Sequence, residues 1–224
     1  MLLALDTATQ MIGLALHTGD DLIAELAWRA PQRHTVELAP AVADLLTREG
    51  VGRDQLTALA VATGPGSYSG LRIGVAFAKA MASALRLPLV GVSTLDSAAA
   101  GTPQVSGGLI VIVSAGRRRI VAAPYQWRRG RWKQRSAPEN MDWETLIANV
   151  DGPAYLTGEI SAEGRAALAA AVERGVPVTV APPALRLRRA GFLAETALLQ
   201  LAEQPGTYSP AQVVPVYVKT KDSP

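Results

Sequence analysis

Three groups of residues have the types and spacing to do chemistry. The first is the turn Asp6-Thr7-Ala8-Thr9, where the carboxylate of Asp6 and the hydroxyls of Thr7 and Thr9 could face a phosphate and its metal ion. A turn that uses Asp and Thr for its own hydrogen bonds is the competing account. The second is the loop Gly64-Pro65-Gly66-Ser67-Tyr68-Ser69-Gly70, placed where a helix begins, so that successive N–H groups could cradle an anion. It departs from a P-loop, because Leu71 and Arg72 follow Gly70 in place of Lys and Ser or Thr. Pro65 also removes a donor from the middle of what would be a dinucleotide-type loop. Glycines chosen for a tight turn and close helix packing explain the loop better. The third group pairs Ser67 or Ser69 with His34, as a serine peptidase would, yet no acid is placed by sequence to orient the imidazole and nothing marks an oxyanion hole. His17 and His34 are the only histidines and there is no cysteine. Counting alone therefore excludes a metal site built on imidazoles or thiolates, and with it thiolate catalysis and disulfides.

The elements that must position these groups follow from periodicity. With 224 residues and 49% hydrophobic content, the chain can bury a sizeable core as one large domain or two small ones. Met1 to Leu5 lacks a basic flank and meets Asp6 at once, which argues against a signal peptide. No later run approaches a membrane span, so a soluble cytoplasmic protein is the default expectation. Leu2 to Leu5, Ile12 to His17 and Leu22 to Trp28 read as a meander of strands. His34 to Arg48 reads as a helix with Pro40 inside it and an apolar face of Val36, Val42, Leu45 and Leu46. Leu59 to Ala62 is a short strand before the glycine loop. A strand at Leu89 to Val92 and a helix at Thr94 to Ala100 follow, and Thr102 to Gly108 is a plausible hinge. A second meander is expected at Leu109 to Ser114, Ile120 to Tyr125 and Arg131 to Lys133. Beyond it come helices at Asp142 to Val150 and Ala162 to Arg174, strands at Tyr155 to Thr157 and Val178 to Ala181, a last helix at Leu187 to Glu203, and an extended tail from Val213 to Lys219.

The helix from Gly70 to Leu85 has an unusual surface. Gly70, Gly74, Ala78 and Ala82 recur every fourth residue and form a stripe with almost no side chain, along which another helix could approach closely. Leu71, Ile73, Val75, Phe77, Met81 and Leu85 make the rest apolar, so the helix should be covered on two sides. The cover could be the chain's own core or another subunit.

Taken together, several segments resemble a known family. They are Leu-Ala-Leu-Asp-Thr-Ala-Thr at 3 to 9, His34-Thr35 opening a proline-containing helix, Gly-Pro-Gly-Ser-Tyr-Ser-Gly-Leu-Arg-Ile-Gly at 64 to 74, Gly-Val-Ser-Thr-Leu at 91 to 95, Leu-Thr-Gly at 156 to 158 and Pro215-Val-Tyr-Val-Lys219. Running in order along the whole chain, they resemble the bacterial TsaB family, also called YeaZ. The resemblance implies a two-lobed α/β fold of the actin-like, sugar-kinase-like ATPase class, with lobes expected at 1–101 and 102–224 and the helix 187–203 packing back on the first. It implies a non-catalytic subunit that partners the paralogue TsaD, with TsaE as third component, in threonylcarbamoyl transfer to the adenosine beside the anticodon of tRNAs reading codons that start with A. ATP and Mg would be used by the complex and no cofactor by this chain.

The resemblance also implies that the two helices at 34–48 and 70–85 bundle with the same helices of TsaD or of a second copy. The expected interface is His34, Thr35, Leu38, Val42, Ser67, Gly70, Arg72, Gly74, Phe77, Ala78, Met81 and Ala82. On that reading Gly74→Leu or Ala78→Trp should separate the subunits and leave the monomer folded. Asp6, Thr7 and Thr9 would be a vestigial phosphate site. Where family members often carry Asp-Ala-Arg in the second lobe, this chain has Ser114-Ala-Gly-Arg-Arg-Arg119, so weak or no independent nucleotide binding is expected. An independent ATPase or kinase of the same fold is the alternative that Asp6, Thr7 and the glycine loop leave open, with a serine peptidase behind it.

The basic residues bear on tRNA. Lys plus Arg number 22 against 19 Asp plus Glu, a formal charge of +3 that does not announce a nucleic-acid binder. Arg117, Arg118 and Arg119 lie at one end of a strand and Arg128, Arg129 and Arg131 at the other, roughly 30 Å apart at about 3.3 Å per residue. Trp127 and Trp132 could stack bases or could pack as strand faces do. Auxiliary tRNA contact at most is expected.

Overall fold

Four consecutive side chains of the first strand, Leu2 to Leu5, are apolar, and successive side chains of a strand point to opposite faces. Both faces of the sheet containing it must then be covered. The computed structural model, which describes residues 1–116, 118–206 and 208–218, shows how. Strand β1 (Leu2–Asp6) lies at the centre of a five-stranded sheet in the order β3 (Leu22–Arg29), β2 (Met11–His17), β1, β4 (Ala58–Gly64), β5 (Leu89–Ser93). The first three strands are antiparallel neighbours and the last two run parallel to β1. Leu3 and Leu5 join a buried cluster with Leu38, Val42 and Leu45 of α1 (His34–Arg48) and Val75, Ala78 and Ala82 of α2 (Tyr68–Leu85). Leu2 and Ala4 join a second cluster with Ala190, Leu193, Ala194 and Ala197 of α7 (Ala190–Glu203).

The chain divides into two compact units, residues 1–97 with 189–216, and residues 98–188 with the described residues beyond 216. The division falls after Ser97, inside α3 (Thr94–Ala100), ahead of the expected hinge, and α7 belongs to the first unit. The second unit holds a six-stranded sheet ordered β11 (Val178–Val180), β10 (Ala154–Gly158), β6 (Gly108–Gly116), β7 (Arg119–Arg128), β8 (Arg131–Gln134), with β9 (Glu139–Met141) also pairing with β7. Trp143 and Leu146 of α4 (Trp143–Ala148) and Leu168 of α5 (Ala162–Glu173) pack with Ile112, Ile120 and Leu156. This two-sheet α/β architecture is the expected fold class.

Three expectations change. The last helix starts at Ala190 and not Leu187, because a four-residue helix α6 (Pro183–Arg186) precedes it and Arg188 turns its buried side chain to Glu159 at 3.0 Å. β9 was not expected; at three residues it owes its conformation to its pairing with Ile120, Val121 and Ala122. Val36, expected on the apolar face of α1, is 65% exposed, and Leu38 takes the inward position. The tail from Val213 to Val218 is neither helix nor strand, its Val216 N–H donating to the Thr63 carbonyl, and Lys219 lies outside the described residues. Among the described residues no helix is long and apolar enough to cross a membrane.

Candidate functional site

The structure brings the acidic turn and the glycine loop together, and locks them to each other. The Ser67 N–H donates to the Ala8 carbonyl at 2.6 Å, and the Thr7 hydroxyl donates to the Gly70 carbonyl at 2.8 Å. The Ala8 N–H donates to Asp6 Oδ1 at 2.8 Å. Ser67 caps α2, its Oγ accepting from the Gly70 N–H at 3.4 Å. Glycine is required here by close approach: a Cβ on Gly66 would collide with the Ala8 carbonyl, on Gly70 with the Thr7 carbonyl, and on Gly74 with the Thr7 hydroxyl. Thr7 has no exposed surface and Asp6 and Thr9 are buried. The expected phosphate role of Thr7 is therefore corrected: its hydroxyl serves as a buckle between the first turn and α2. Among the described residues no group of three or more His, Asp or Glu is placed to hold a metal ion.

The peptidase pair is not assembled. Ser67 Oγ lies 3.4 Å from Ser69 Oγ, and the buried His34 Nε2 has no hydrogen-bond partner among the described residues. A nucleophile needs its base within hydrogen-bond reach.

The small-residue stripe has a different place from the one expected. Gly70, Gly74, Ala78 and Ala82 are all buried within this chain, under the first sheet and its Thr7 turn. His34, Leu38 and Val42 are buried as well. Six of the seven are corrected from surface to core, while Val42, also buried, lines an open groove between the two helices. The substitution Gly74→Leu would strike Thr7 and damage the monomer, not merely a subunit contact. Thr35 and Arg72 are exposed and Ser67, Phe77 and Met81 half-buried. Arg72 sits over the Tyr68 ring, its guanidinium carbon 4.1 Å from the ring centroid.

A second small-residue row lies outward on the same two helices. Val36, Ala39 and Ala43 of α1 and Ala76, Ala80 and Ala84 of α2 are exposed. Ala39, Ala43, Phe77, Ala80 and Met81 line an open groove of about 680 Å³, with Val42 at its floor. Sequence reasoning missed this row, although Ala76, Ala80 and Ala84 share the four-residue spacing. The usable signal was glycine against alanine: glycine marks positions where even a Cβ would collide, with backbone at Gly70 and with the Thr7 hydroxyl at Gly74, and that approach is internal here.

The cationic residues are partly regrouped. Trp132 is buried, its indole N–H donating to the Thr102 carbonyl at 2.9 Å, and Trp127 packs edge-on against it at 5.2 Å between ring centroids. Trp132 is thus a core residue and no base-stacking platform. Arg119 holds Asn140, through Oδ1 at 3.0 Å and the carbonyl at 2.8 Å. Arg117 lies outside the described residues. Asp142 caps α4 by accepting the Thr145 N–H at 2.8 Å. That donor, then the Thr145 hydroxyl, and after them Arg119, hold its carboxyl below the ordinary aspartate value.

Comparison with known proteins agrees with this architecture. Residues 28–173 match the family model described as TsaD: tRNA N6-adenosine threonylcarbamoyltransferase. The chain is 34% identical over 160 residues to the Bacillus subtilis protein named tRNA threonylcarbamoyladenosine biosynthesis protein TsaB, covering 70% of each. It is 36% identical to the Escherichia coli protein of the same name over 127 residues, 56% of this chain and 54% of that one. Relatives named tRNA N6-adenosine threonylcarbamoyltransferase, such as that of Anaeromyxobacter dehalogenans strain 2CP-C, match at 40% over 42% of this chain but only 30% of their own length. The solved structure of YeaZ from Pseudomonas aeruginosa superposes with a TM-score of 0.74 at 26% identity, over 97% of this chain and 99% of that one. With the match to TsaB running over most of both proteins, and that to the transferases over a fraction of theirs, the chain belongs to the TsaB (YeaZ) family.

Proposed function

We propose that this chain is a non-catalytic subunit in tRNA threonylcarbamoyladenosine biosynthesis, and that it supports a TsaD-type transferase by docking through the outward face of α1 and α2. One observation carries the reading: two adjacent helices present Val36, Ala39, Ala43, Ala76 and Ala80 to solvent beside a groove floored by Val42. Apolar side chains this small leave the helix backbones open to close approach by another helix pair. The paralogue's corresponding helices are the proposed occupant, and a second copy of this chain is what the same face would accept in the paralogue's absence. TsaE would join as third component, and ATP and Mg would serve the complex. The ATPase reading loses its basis in Thr7, and the peptidase reading its basis in His34.

Ala80→Arg tests the proposal, because it adds a charge to an exposed helical position that costs the monomer little. Burying that charge should weaken the complex with the transferase by more than about 2 kcal/mol, roughly thirtyfold. Size-exclusion chromatography of the mixed subunits should show them separating, and tRNA modification by the mixture should fall in step. Undiminished complex and activity, with both proteins folded, would sink the proposal.

A further inference from the structure

The formal charge of +3 conceals a separation of charge along the chain. Residues 117–138 contain eight of the 22 Lys and Arg and none of the 19 Asp and Glu. Removing them leaves 14 cations against 19 acids, a balance of −5 for everything else. Within the segment, the β7–β8 hairpin sets Arg128 opposite Arg131 and Gln126 opposite Lys133, with Trp127 opposite Trp132. Side chains alternate along each strand, so Arg128, Arg131 and Lys133 share one face, and Arg135 two residues on continues that row. The opposite face is the one that carries Trp127 and the buried Trp132. Arg128, Arg129, Arg131, Lys133 and Arg135 are all exposed.

Two local choices run against strand and turn preferences. Like charges directly across a strand pair are destabilising, yet Arg128 and Arg131 face each other. The hairpin turn is Arg129-Gly130 with φ of 52° and 78°, the two positive values of a type I′ turn whose first position favours Asn, Asp or Gly. Protection of the edge strand β8 would account for Lys133 and Arg135, since charges blunt sheet edges. It does not account for the three arginines at the turn, Arg128, Arg129 and Arg131.

We infer that the Arg128–Arg135 hairpin is a docking surface for the phosphate backbone of a structured RNA. The inference rests on the proposed role in tRNA modification for the identity of the polyanion. Four of the five cations are arginine, whose planar fork grips phosphate through paired hydrogen bonds. No large apolar side chain is exposed on the hairpin, so it lacks the wedge with which an interfacial element enters a bilayer. Contact is to backbone and not to bases, so it adds affinity and orientation without reading sequence.

The test is fluorescence anisotropy of the full chain with an unmodified tRNA transcript over a salt series. Binding should weaken with rising salt, and the variant Arg128→Gln/Arg131→Gln/Lys133→Gln/Arg135→Gln should bind at least about tenfold more weakly, its log–log salt slope shallower by about 3. Replacing the three arginines by lysine should keep most of the slope. Arg129→Asn, which suits the turn, should weaken binding while the thermal midpoint holds or rises; this keeps the test decisive should the quadruple variant fold poorly. Equal binding by wild type and both neutral variants would overturn the inference, as would a wild-type chain that binds phosphatidylserine vesicles and no tRNA. The same variants, mixed with the transferase, separate the two proposals. Intact complex formation alongside no RNA binding removes this inference alone, and hairpin-dependent RNA binding without any complex removes the docking role alone.

Discussion

Thr7 occupies a position where one hydroxyl serves two elements, donating to the Gly70 carbonyl and filling the space that a side chain at Gly74 would need. Gly74→Ala should therefore destabilise the monomer by about 1–3 kcal/mol as an overpacking change. Thr7→Ala in the same molecule should recover part of the loss, because it removes the colliding atom. Denaturant unfolding of both single variants and the double variant measures the coupling, and strict additivity would show that the two do not meet. Asp142 supports a prediction in pH. Its folded value is depressed, so its contribution is present above the unfolded value and is lost as pH falls through the folded one. Asp142→Asn should flatten the acid limb of the stability curve below about pH 4, and Asp142→Ala should cost about 1 kcal/mol near neutrality. A stability curve unchanged in both variants would remove the cap from the account. At this scale the sequence disclosed the glycine loop and the acidic turn but not their mutual hydrogen bonds. The residues that satisfy each other stand 59 and 63 positions apart, and nothing in local spacing encodes that.

The element best read from periodicity was α1, whose bounds of His34 and Arg48 match the expected ones. Its inward residues were less legible, since Val36 and Leu38 are both apolar and only the sheet decides which is covered. Trp28 of β3 helps set that orientation by donating its indole N–H to Glu37 at 2.7 Å, while Arg33 pairs with the same carboxylate. The start of α7 was misplaced for a related reason. Its first turn has no capping side chain of its own, and the carboxylate that serves it is Glu25 of β3, which accepts the Gly191 N–H and an Arg189 N–H, each at 2.7 Å. Residues 166 positions apart are coupled there. A carboxylate at a helix N-terminus is favoured by the unpaired N–H groups and the dipole. Glu25→Ala should loosen the first turn of α7, costing about 1–2 kcal/mol. Hydrogen exchange across residues 189–195 should then quicken, more than in Glu25→Gln, and unchanged exchange would show that the turn is held by packing alone.

For the whole molecule, total composition proved a poor guide and local composition a good one. A formal charge of +3 describes neither the hairpin of β7 and β8 nor the acidic remainder. The small-residue stripe was likewise recognised correctly as a sign of close packing and assigned to the wrong neighbour, because spacing gives the shape of a helix surface and not what lies on it. The fold class was legible from the order of strands and helices; the route of the chain was not. Ala190, Leu193, Ala194 and Ala197 complete the second cluster of the first unit, although 91 residues assigned to the other unit separate them from Ser97. A ribosome therefore releases Leu2, Ala4 and Val90 long before their covering helix exists. During that interval one side of the earliest sheet has no permanent lid, and its oily surface stays open until the final helix emerges.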